Sequence, residues 1–186
     1  MATIGLENLH IAKCLNDNEN SCTYATPMHV PGLIEANIEP QTNSTTLYAD
    51  NIAFAVATGM GETKLTLNVA DLPLETHAEL LGHKIKEGVM ISSGDDEPPD
   101  MAVMFESKMR DGGIKYVKLL KGKFQEPSEN SKTKTDSLEF VTPQLEGTFV
   151  ARQCDKVWKL TAESTNPNFT GASTWYDSVE GAMKNE

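Results

Sequence analysis

The sequence lacks long apolar runs and a secretory leader. No stretch approaches the roughly 20 consecutive apolar residues that a membrane-spanning helix requires. The N-terminus "MATIGLENLHIAKCLNDNEN" has no basic region followed by an apolar run. We therefore expect no membrane segment, and a protein that is made and kept, or assembled, in a cytoplasm.

Cysteine is scarce, since the 186 residues include only Cys14, Cys22 and Cys154. An odd number of cysteines, in a chain long enough to build its own core, argues against a disulfide framework. The sequence therefore predicts reduced thiols, which behave as small buried hydrophobes.

Positive charge is missing from a long stretch near the N-terminus. No Lys or Arg lies between Cys14 and Thr63, whereas acidic residues occur throughout that stretch. The net charge of −11 argues against a protein that binds nucleic acid through contacts to its phosphates. Cations are concentrated later, at Lys108, Arg110, Lys115, Lys118, Lys121, Lys123, Lys132 and Lys134. This asymmetry is either an accident of a two-faced solvated sheet or the sign of one acidic and one basic surface. The second interpretation favours like molecules meeting head to tail.

Motifs for catalysis or cofactor binding are also missing. The stretch "GMGETK" (59–64) lacks the spacing of a phosphate loop, and the acidic residues within 95–100 lack the ligand spacing of a calcium loop. No zinc pattern fits His10, Cys14, Cys22 and His29. His77 and His83 are six residues apart and would diverge on a helix. The sequence therefore predicts no catalytic, cofactor-binding or metal-binding residue, no cofactor, and no enzymatic activity.

Most of the pattern that is present is typical of β-strands. Alternating or nearly alternating apolar residues occupy 8–15, 32–40 and 62–70. A glycine-rich turn at 111–113 indicates a hairpin. A short helix is indicated between Asp71, the predicted N-cap, and Gly82. We predict a single mainly β domain over 1–186, with a core at about 1–162 and an exposed loop at 126–137. A C-terminal extension (163–186) contains a possible short helix.

Within the stretch "LYADNIAFAVATGMGE" (47–62), residues 52–57 are apolar in both alternating sets. Ile52, Phe54 and Val56 form one set, and the intervening residues are all alanines. A half-exposed strand would carry polar residues at every second position, so both faces of this one require cover. One interpretation is a central strand pair inside a sandwich. The other is a long hairpin over 42–66 that turns near 50–51 or 59–61 and packs on another subunit.

Three stretches together resemble the major tail proteins of long-tailed phages and prophages of Gram-positive bacteria, over about 2–162. They are "VPGLIEANIEPQTNSTTLYADN" (30–51), "TLNVADLPLETHAELLGH" (66–83) and "KYVKLLKGKFQEPSENSKTKTDSLEFVTPQLEGTFV" (115–150). The ending "TWYDSV" (174–179) is similar to aromatic and acidic endings in the same family. The resemblance implies a mainly β fold, a β-sandwich or barrel of the tail-tube type, with one short α-helix and a long protruding β-hairpin. It also implies hexameric rings that stack into a tube, the conduit for DNA ejection into the host.

The resemblance also assigns roles to particular residues. The inter-subunit hairpin would carry Asn43, Ser44, Tyr48, Asp50, Ile52, Phe54 and Val56. The candidate acidic lumen would be lined by Glu35, Glu39, Asp50 and Glu62, because a conduit for DNA should repel phosphates weakly. The implied partners are other copies of the chain, tape-measure and tail-terminator proteins, and DNA that passes without specific binding. The implied location is the virion tail, assembled in the host bacterial cytoplasm.

A monomeric β-sandwich module that reads carbohydrate or peptide is the competing hypothesis. Such a module would present a concave patch of exposed aromatic residues. Only two of the twelve aromatic residues are tryptophans, so the composition favours the tail-tube interpretation.

Overall fold

The computed structural model describes residues 2–128 and 142–180, and most of these residues are in antiparallel strands. The strands are β1 (Thr3–Asn18), β2 (Ser21–Tyr24), β3 (Met28–His29), β4 (Leu33–Ala49), β5 (Ile52–Val69), β6 (Lys84–Lys86), β7 (Val89–Ile91), β8 (Met101–Met109), β9 (Ile114–Phe124), β10 (Gln144–Phe149) and β11 (Lys159–Glu163). Nine of them form one sheet in the order β2-β1-β8-β9-β10-β5-β4, with β11 paired to β9 and β3 to β1. The strands β6 and β7 form a separate hairpin.

The main core lies inside the curl of this sheet. Strands β1 and β4 contact each other although they are far apart in the strand order. Apolar side chains of β1, β5, β8, β9 and β10 therefore meet in one buried cluster, which includes Ile11, Leu67, Val103, Leu119 and Phe149. Strand β5 alternates as predicted here, because Leu65, Leu67 and Val69 are buried and the residues between them are not.

The only α-helix in the described ranges is α1 (Leu74–Leu81), which packs Leu80 and Leu81 against the main core. Its C-terminal cap is Gly82, in the left-handed conformation with φ 76°. The predicted N-cap is wrong: Pro73 occupies that position, and the carboxylate of Asp71 instead accepts the N–H of Leu72. At eight residues, α1 is too short to span a bilayer.

The opposite face of the sheet is covered by the end of the chain. A second buried cluster joins Ala102 and Met104 of β8 to Leu120 of β9 and to Val179. The possible C-terminal helix is limited, among the described residues, to a single 3₁₀ turn (Ala172–Thr174). Residues 170–180 therefore act as an irregular cover anchored by the buried side chains of Trp175 and Val179.

A buried lysine holds this cover in place. The Nζ atom of Lys118 donates to the carbonyl oxygens of Ser178 at 2.8 Å and Val179 at 3.2 Å. It also lies 4.4 Å from the centroid of the Trp175 ring. The side chain is fully buried, and this burial lowers the pKa of Lys118 to about 8. The lysine is thus part of the interior and not of a basic surface.

This pKa predicts a pH dependence of stability. The unfolded chain binds more protons at Lys118 than the folded chain between about pH 8 and the ordinary pKa of 10.5. The free energy of unfolding contributed by this group therefore rises with pH across that window, by up to about 3 kcal/mol. Urea unfolding of the wild type and of Lys118→Met at several pH values measures this pH dependence of the free energy of unfolding, because the variant lacks the titrating group. If the difference in free energy of unfolding between the wild type and Lys118→Met stays constant from pH 8 to 10.5, the buried placement of Lys118 is contradicted.

The prediction of three reduced thiols is wrong for two of the cysteines. Cys22 on β2 and Cys154, after β10, form a disulfide with a Cα–Cα distance of 6.2 Å, and Cys14 is free. The two sulfurs are 132 residues apart in sequence, so no local pattern indicates the pairing. The bridge joins the β2 edge of the sheet to the connection between β10 and β11.

The mainly β fold with one short α-helix and a long β-hairpin is confirmed. The single-domain organisation stays a prediction. Residues 126–128 at the start of the predicted exposed loop have no regular secondary structure, and the rest of that loop, from 129 onward, lies outside the described residues. In the C-terminal extension, 181–186 are likewise outside them.

Candidate assembly surface

Strands β4 and β5 form one long antiparallel hairpin whose outer half extends beyond the sheet. The two strands pair from Leu33 with Val69 to Ala49 with Ile52. The next strand, β10, pairs with β5 only over Thr63–Asn68. Residues 41–62, which we call the arm, therefore have no strand neighbour except each other in the described structure. At about 3.3 Å per residue, the arm projects about 30 Å.

The turn at the arm tip explains how the hairpin closes. Asp50 and Asn51 both have positive φ, at 51° and 61°. Two successive positive φ values are typical of the type I′ turn, which Asp and Asn tolerate and which matches the twist of the flanking strands. Of the two turn positions considered from the sequence, the structure selects 50–51, and 59–61 lies within β5.

The arm is apolar and exposed. No side chain described within 41–62 is buried. Phe54 and Tyr48 are each 70% exposed, and Leu47, Ile52, Val56 and Met60 are also exposed. The interpretation of this stretch as a buried central strand pair is therefore wrong within one copy of the chain, because its own sheet does not cover it. An exposed apolar surface of this kind marks an interaction site.

The residues predicted for the inter-subunit hairpin all lie on the arm. Asn43 and Ser44 pair with Gly59 and Thr58, in the middle of the arm. Tyr48, Ile52 and Phe54 surround a register shift next to the tip, and Val56 pairs with Thr46. The structure thus brings these residues into one continuous ribbon, although it does not test their role.

Two arm residues were not predicted. Leu47 pairs with Ala55, and Met60 pairs with Thr42. Both are exposed and apolar. The signal for Leu47 was available, because Leu47 lies three residues before Asp50 and Phe54 lies three residues after Asn51.

The four predicted lumen residues do not form a cluster. Glu35 and Glu39 lie on the outer face of β4, opposite Asn68 and Lys64 of β5. Glu35 accepts a hydrogen bond from Asn68 at 2.9 Å, and Glu39 accepts one from Asn37 at 2.7 Å. Asp50 lies at the arm tip, about 35 Å from Glu39 along the direction of β4. Glu62 lies at the arm base, next to buried Thr63.

The basic stretch seen in the sequence does not form one surface. Lys118 is buried, and Lys121 forms an ion pair with Asp17, with 2.6 Å between Nζ and Oδ2. Burial alone would raise the pKa of Asp17, but hydrogen bonds from Lys121 and from the backbone N–H of Gln153 outweigh it and lower the pKa. Lys108 pairs with Glu7 at 2.9 Å. The interpretation of the stretch as a basic surface is therefore wrong for Lys118 and Lys121, whereas Lys108 is exposed with its charge paired. Residues 132 and 134 lie outside the described residues.

The family of the chain follows from comparison with known proteins. A model of the phage tail tube protein family matches residues 1–186, the entire sequence. The chain belongs to this family. No curated protein matches the tail tube protein. The family is a structural one and not an enzyme family.

Membership in this family bears on the role of the exposed arm. A tail tube protein is a structural component of the phage tail and associates with further copies of itself and with other tail components. The exposed apolar arm of this tail tube protein is a surface on which such association can take place. The resemblance identified from the sequence is thereby confirmed at the level of the family.

Proposed function

We propose that this tail tube protein forms six-membered rings that stack into a hollow tube, and that the arm of each copy packs on neighbouring copies. The exposed arm is the observation that carries the proposal, since it projects about 30 Å with only its own two strands paired. An isolated two-stranded hairpin is marginally stable in water. Other copies of the chain supply the cover that the arm lacks.

The burial of the arm provides the driving force. Covering Leu47, Tyr48, Ile52, Phe54 and Val56 gains roughly 1.5–3 kcal/mol for each side chain. The sum is comparable to the roughly 5–15 kcal/mol that stabilises an entire domain. A contact between the arm of one copy and a different surface of the next is heterologous. Such contacts close into a ring when the rotation from one copy to the next is a whole-number fraction of a full turn. The number of six copies comes from the resemblance of the sequence.

We propose further that the tube conducts DNA past an acidic wall. Glu35 and Glu39 project from a polar sheet face that also carries Asn37, Lys64, Thr66 and Asn68. The two carboxylates outnumber the one lysine on this face, and a wall of small net negative charge repels phosphate weakly, so it does not hold a moving polyanion. Asp50 and Glu62 are proposed for the same lining, at the places where neighbouring copies bring them to the channel.

The remaining partners follow from the same proposal. A tube of defined length requires a tape-measure protein inside it and a tail-terminator protein at its end. The resemblance of the sequence favours a phage or prophage of a Gram-positive host, with assembly in the host cytoplasm before the virion is released.

Electron microscopy of the purified protein tests the proposal. We expect light scattering to rise with protein concentration, and images to show hollow tubes with six-fold symmetry. A reconstruction of the tube also identifies the carboxylates that face the channel. A monomer at every concentration, without tubes, would contradict the proposal and favour the competing monomeric binding module.

A further inference from the structure

Two histidines and two carboxylates meet at the end of α1. The helix ends at Leu81, and the left-handed Gly82 turns the chain back, so that the N–H of His83 donates to the carbonyl of Ala78 at 2.9 Å. The rings of His77 and His83 then lie edge to face, with 6.2 Å between their centroids. The sequence interpretation that these histidines diverge on a helix is wrong, because His83 is not part of the helix.

Both ring nitrogens of His83 are engaged by carboxylates. Its Nδ1 lies 2.8 Å from Oδ2 of Asp96, and its Nε2 lies 3.0 Å from Oε2 of Glu126. The backbone N–H of Ser93 donates to the same Asp96 oxygen at 2.8 Å, which fixes that carboxylate. The hydrogen bonds to Asp96 and Glu126 raise the pKa of His83. The side chain of His83 is only 6% exposed.

His77 has a buried nitrogen without a hydrogen-bond partner. Its Nε2 is buried and accepts or donates no hydrogen bond among the described residues. The nearest carboxylate oxygen is Oε1 of Glu126 at 3.6 Å, which is too long for a hydrogen bond. A buried polar atom left in this way costs free energy, and buried polar atoms are normally satisfied by protein, water or an ion.

In one protonation state of His83, this cluster places two hydrogen-bond acceptors next to each other. If His83 is neutral and donates from Nδ1 to Asp96, its Nε2 carries a lone pair that points toward the Glu126 carboxylate. Two acceptors at 3.0 Å then require a cation between them, either a proton or a metal ion. A histidine whose second nitrogen donates to a carboxylate is the usual form of a metal-ligating histidine in proteins.

We propose that His77, His83 and Glu126 form a Zn²⁺ site, with Asp96 as the residue that orients His83. Two imidazole nitrogens and one carboxylate oxygen are ligands that Zn²⁺ prefers, and water completes the tetrahedron. Two imidazoles that share a tetrahedral zinc at about 2.0–2.1 Å have ring centroids about 5 Å apart. The observed 6.2 Å is longer by about 1 Å. The ligand atoms of His77, His83 and Glu126 do not all lie within 4.8 Å of one another in the described structure, whereas the ligands of a tetrahedral zinc are about 3.3 Å apart. Zinc binding therefore requires these ligand atoms to close by at least about 1.5 Å. The Glu126 side chain is 57% exposed and is free to follow that movement.

The site would join three parts of the chain. His77 belongs to α1, His83 precedes β6, and Glu126 follows the end of β9. Through Asp96 the site also contacts the connection between β7 and β8. A bound ion would therefore hold the helix and its flanking connections in one arrangement. This inference does not depend on the proposed ring or tube.

Calorimetric titration with ZnCl₂ of the metal-free full chain, with its disulfide intact, tests the site. We expect one Zn²⁺ per chain and a rise in the thermal midpoint that EDTA reverses. His77→Gln and Glu126→Gln should each weaken binding by at least about 100-fold, and Asp96→Asn by about 10–100-fold. Because Glu126 is exposed, its variant keeps the fold even if the His77 variant does not.

Matched control variants distinguish zinc binding at this site from zinc binding elsewhere on the chain. His10→Gln and His29→Gln alter two histidines that contact each other elsewhere and should leave zinc binding unchanged. The ligand atoms of Asp17, Cys22 and Cys154 lie within 4.8 Å of one another, but the two sulfurs form the disulfide. The double variant Cys22→Ser, Cys154→Ser should therefore still bind zinc, and bound Co²⁺ should show no thiolate charge-transfer band. Absence of stoichiometric binding, or binding that survives Glu126→Gln, would overturn the proposal.

Discussion

Replacement of Ile52 and Phe54 together by aspartate is expected to give a folded protein that forms no tubes. Both side chains are exposed in the single copy, so the change removes no contact from the core. In an assembly that covers the arm, two carboxylates would be buried without partners in place of two apolar side chains. Each buried charge costs several kcal/mol, which is enough to abolish association. Size-exclusion chromatography and electron microscopy measure the loss of tubes, and circular dichroism confirms the fold.

The matched control keeps the arm apolar. The double variant Ile52→Val, Phe54→Leu changes the same two positions without adding charge, and it should still assemble into tubes. If the aspartate variant assembles as well, the arm is not an interface between copies. If the aspartate variant unfolds, the arm belongs to the core of its own chain, which contradicts the exposure observed for 41–62.

Loss of the Cys22–Cys154 disulfide is expected to give the largest change in stability. The bridge links residues 132 positions apart, and the chain-entropy model gives about 5 kcal/mol for a loop of that length. Measured losses for native disulfides are about 2–5 kcal/mol, so we expect a decrease of roughly 10 °C in the thermal midpoint. Calorimetry of the assembly-deficient arm variant, with and without reductant, measures this without a contribution from tubes.

The free cysteine provides the control for this prediction. Cys14→Ser should change the midpoint little in oxidised protein, because Cys14 is not bridged. Cys154→Ser in oxidised protein should match the reduced wild type. Equal midpoints for the oxidised and the reduced protein would mean that the bridge does not constrain the chain. Because a cytoplasm keeps thiols reduced, the proposed assembly in the host cytoplasm would begin from the reduced form.

The fold and the arm could be predicted from local sequence pattern. Alternation in β5, the Asp111–Gly113 turn and the cap at Gly82 are each encoded within a few residues. The arm was predictable because both sets of alternating residues in 52–57 are apolar, which a strand exposed on one face cannot explain. Only the choice between self-burial and exposure required the structure, since the pattern is the same in both cases.

The features that could not be predicted all depend on distant contacts. Cys22 meets Cys154 only because the sheet brings β2 next to the β10–β11 connection. Lys118 lies in a stretch of lysines that indicates a solvated strand, yet the C-terminal residues fold over it and bury it. His77 and His83 meet through Gly82, and Glu126 joins them from 43 residues away. Charge counted along the sequence therefore misplaced the basic surface, and residue spacing missed the contact between the two histidines.

Hydrogen–deuterium exchange, compared between assembled tubes and the dispersed protein, tests most directly whether neighbouring copies cover the arm. The arm amides in the dispersed protein are held by a single pair of strands and should exchange by local opening. Cover by another copy that adds about 3 kcal/mol slows this opening about 100-fold. The account predicts that slowing over 42–60 in tubes, while β8 and β9 in the core remain unchanged. Equal protection of the arm in both states would contradict it.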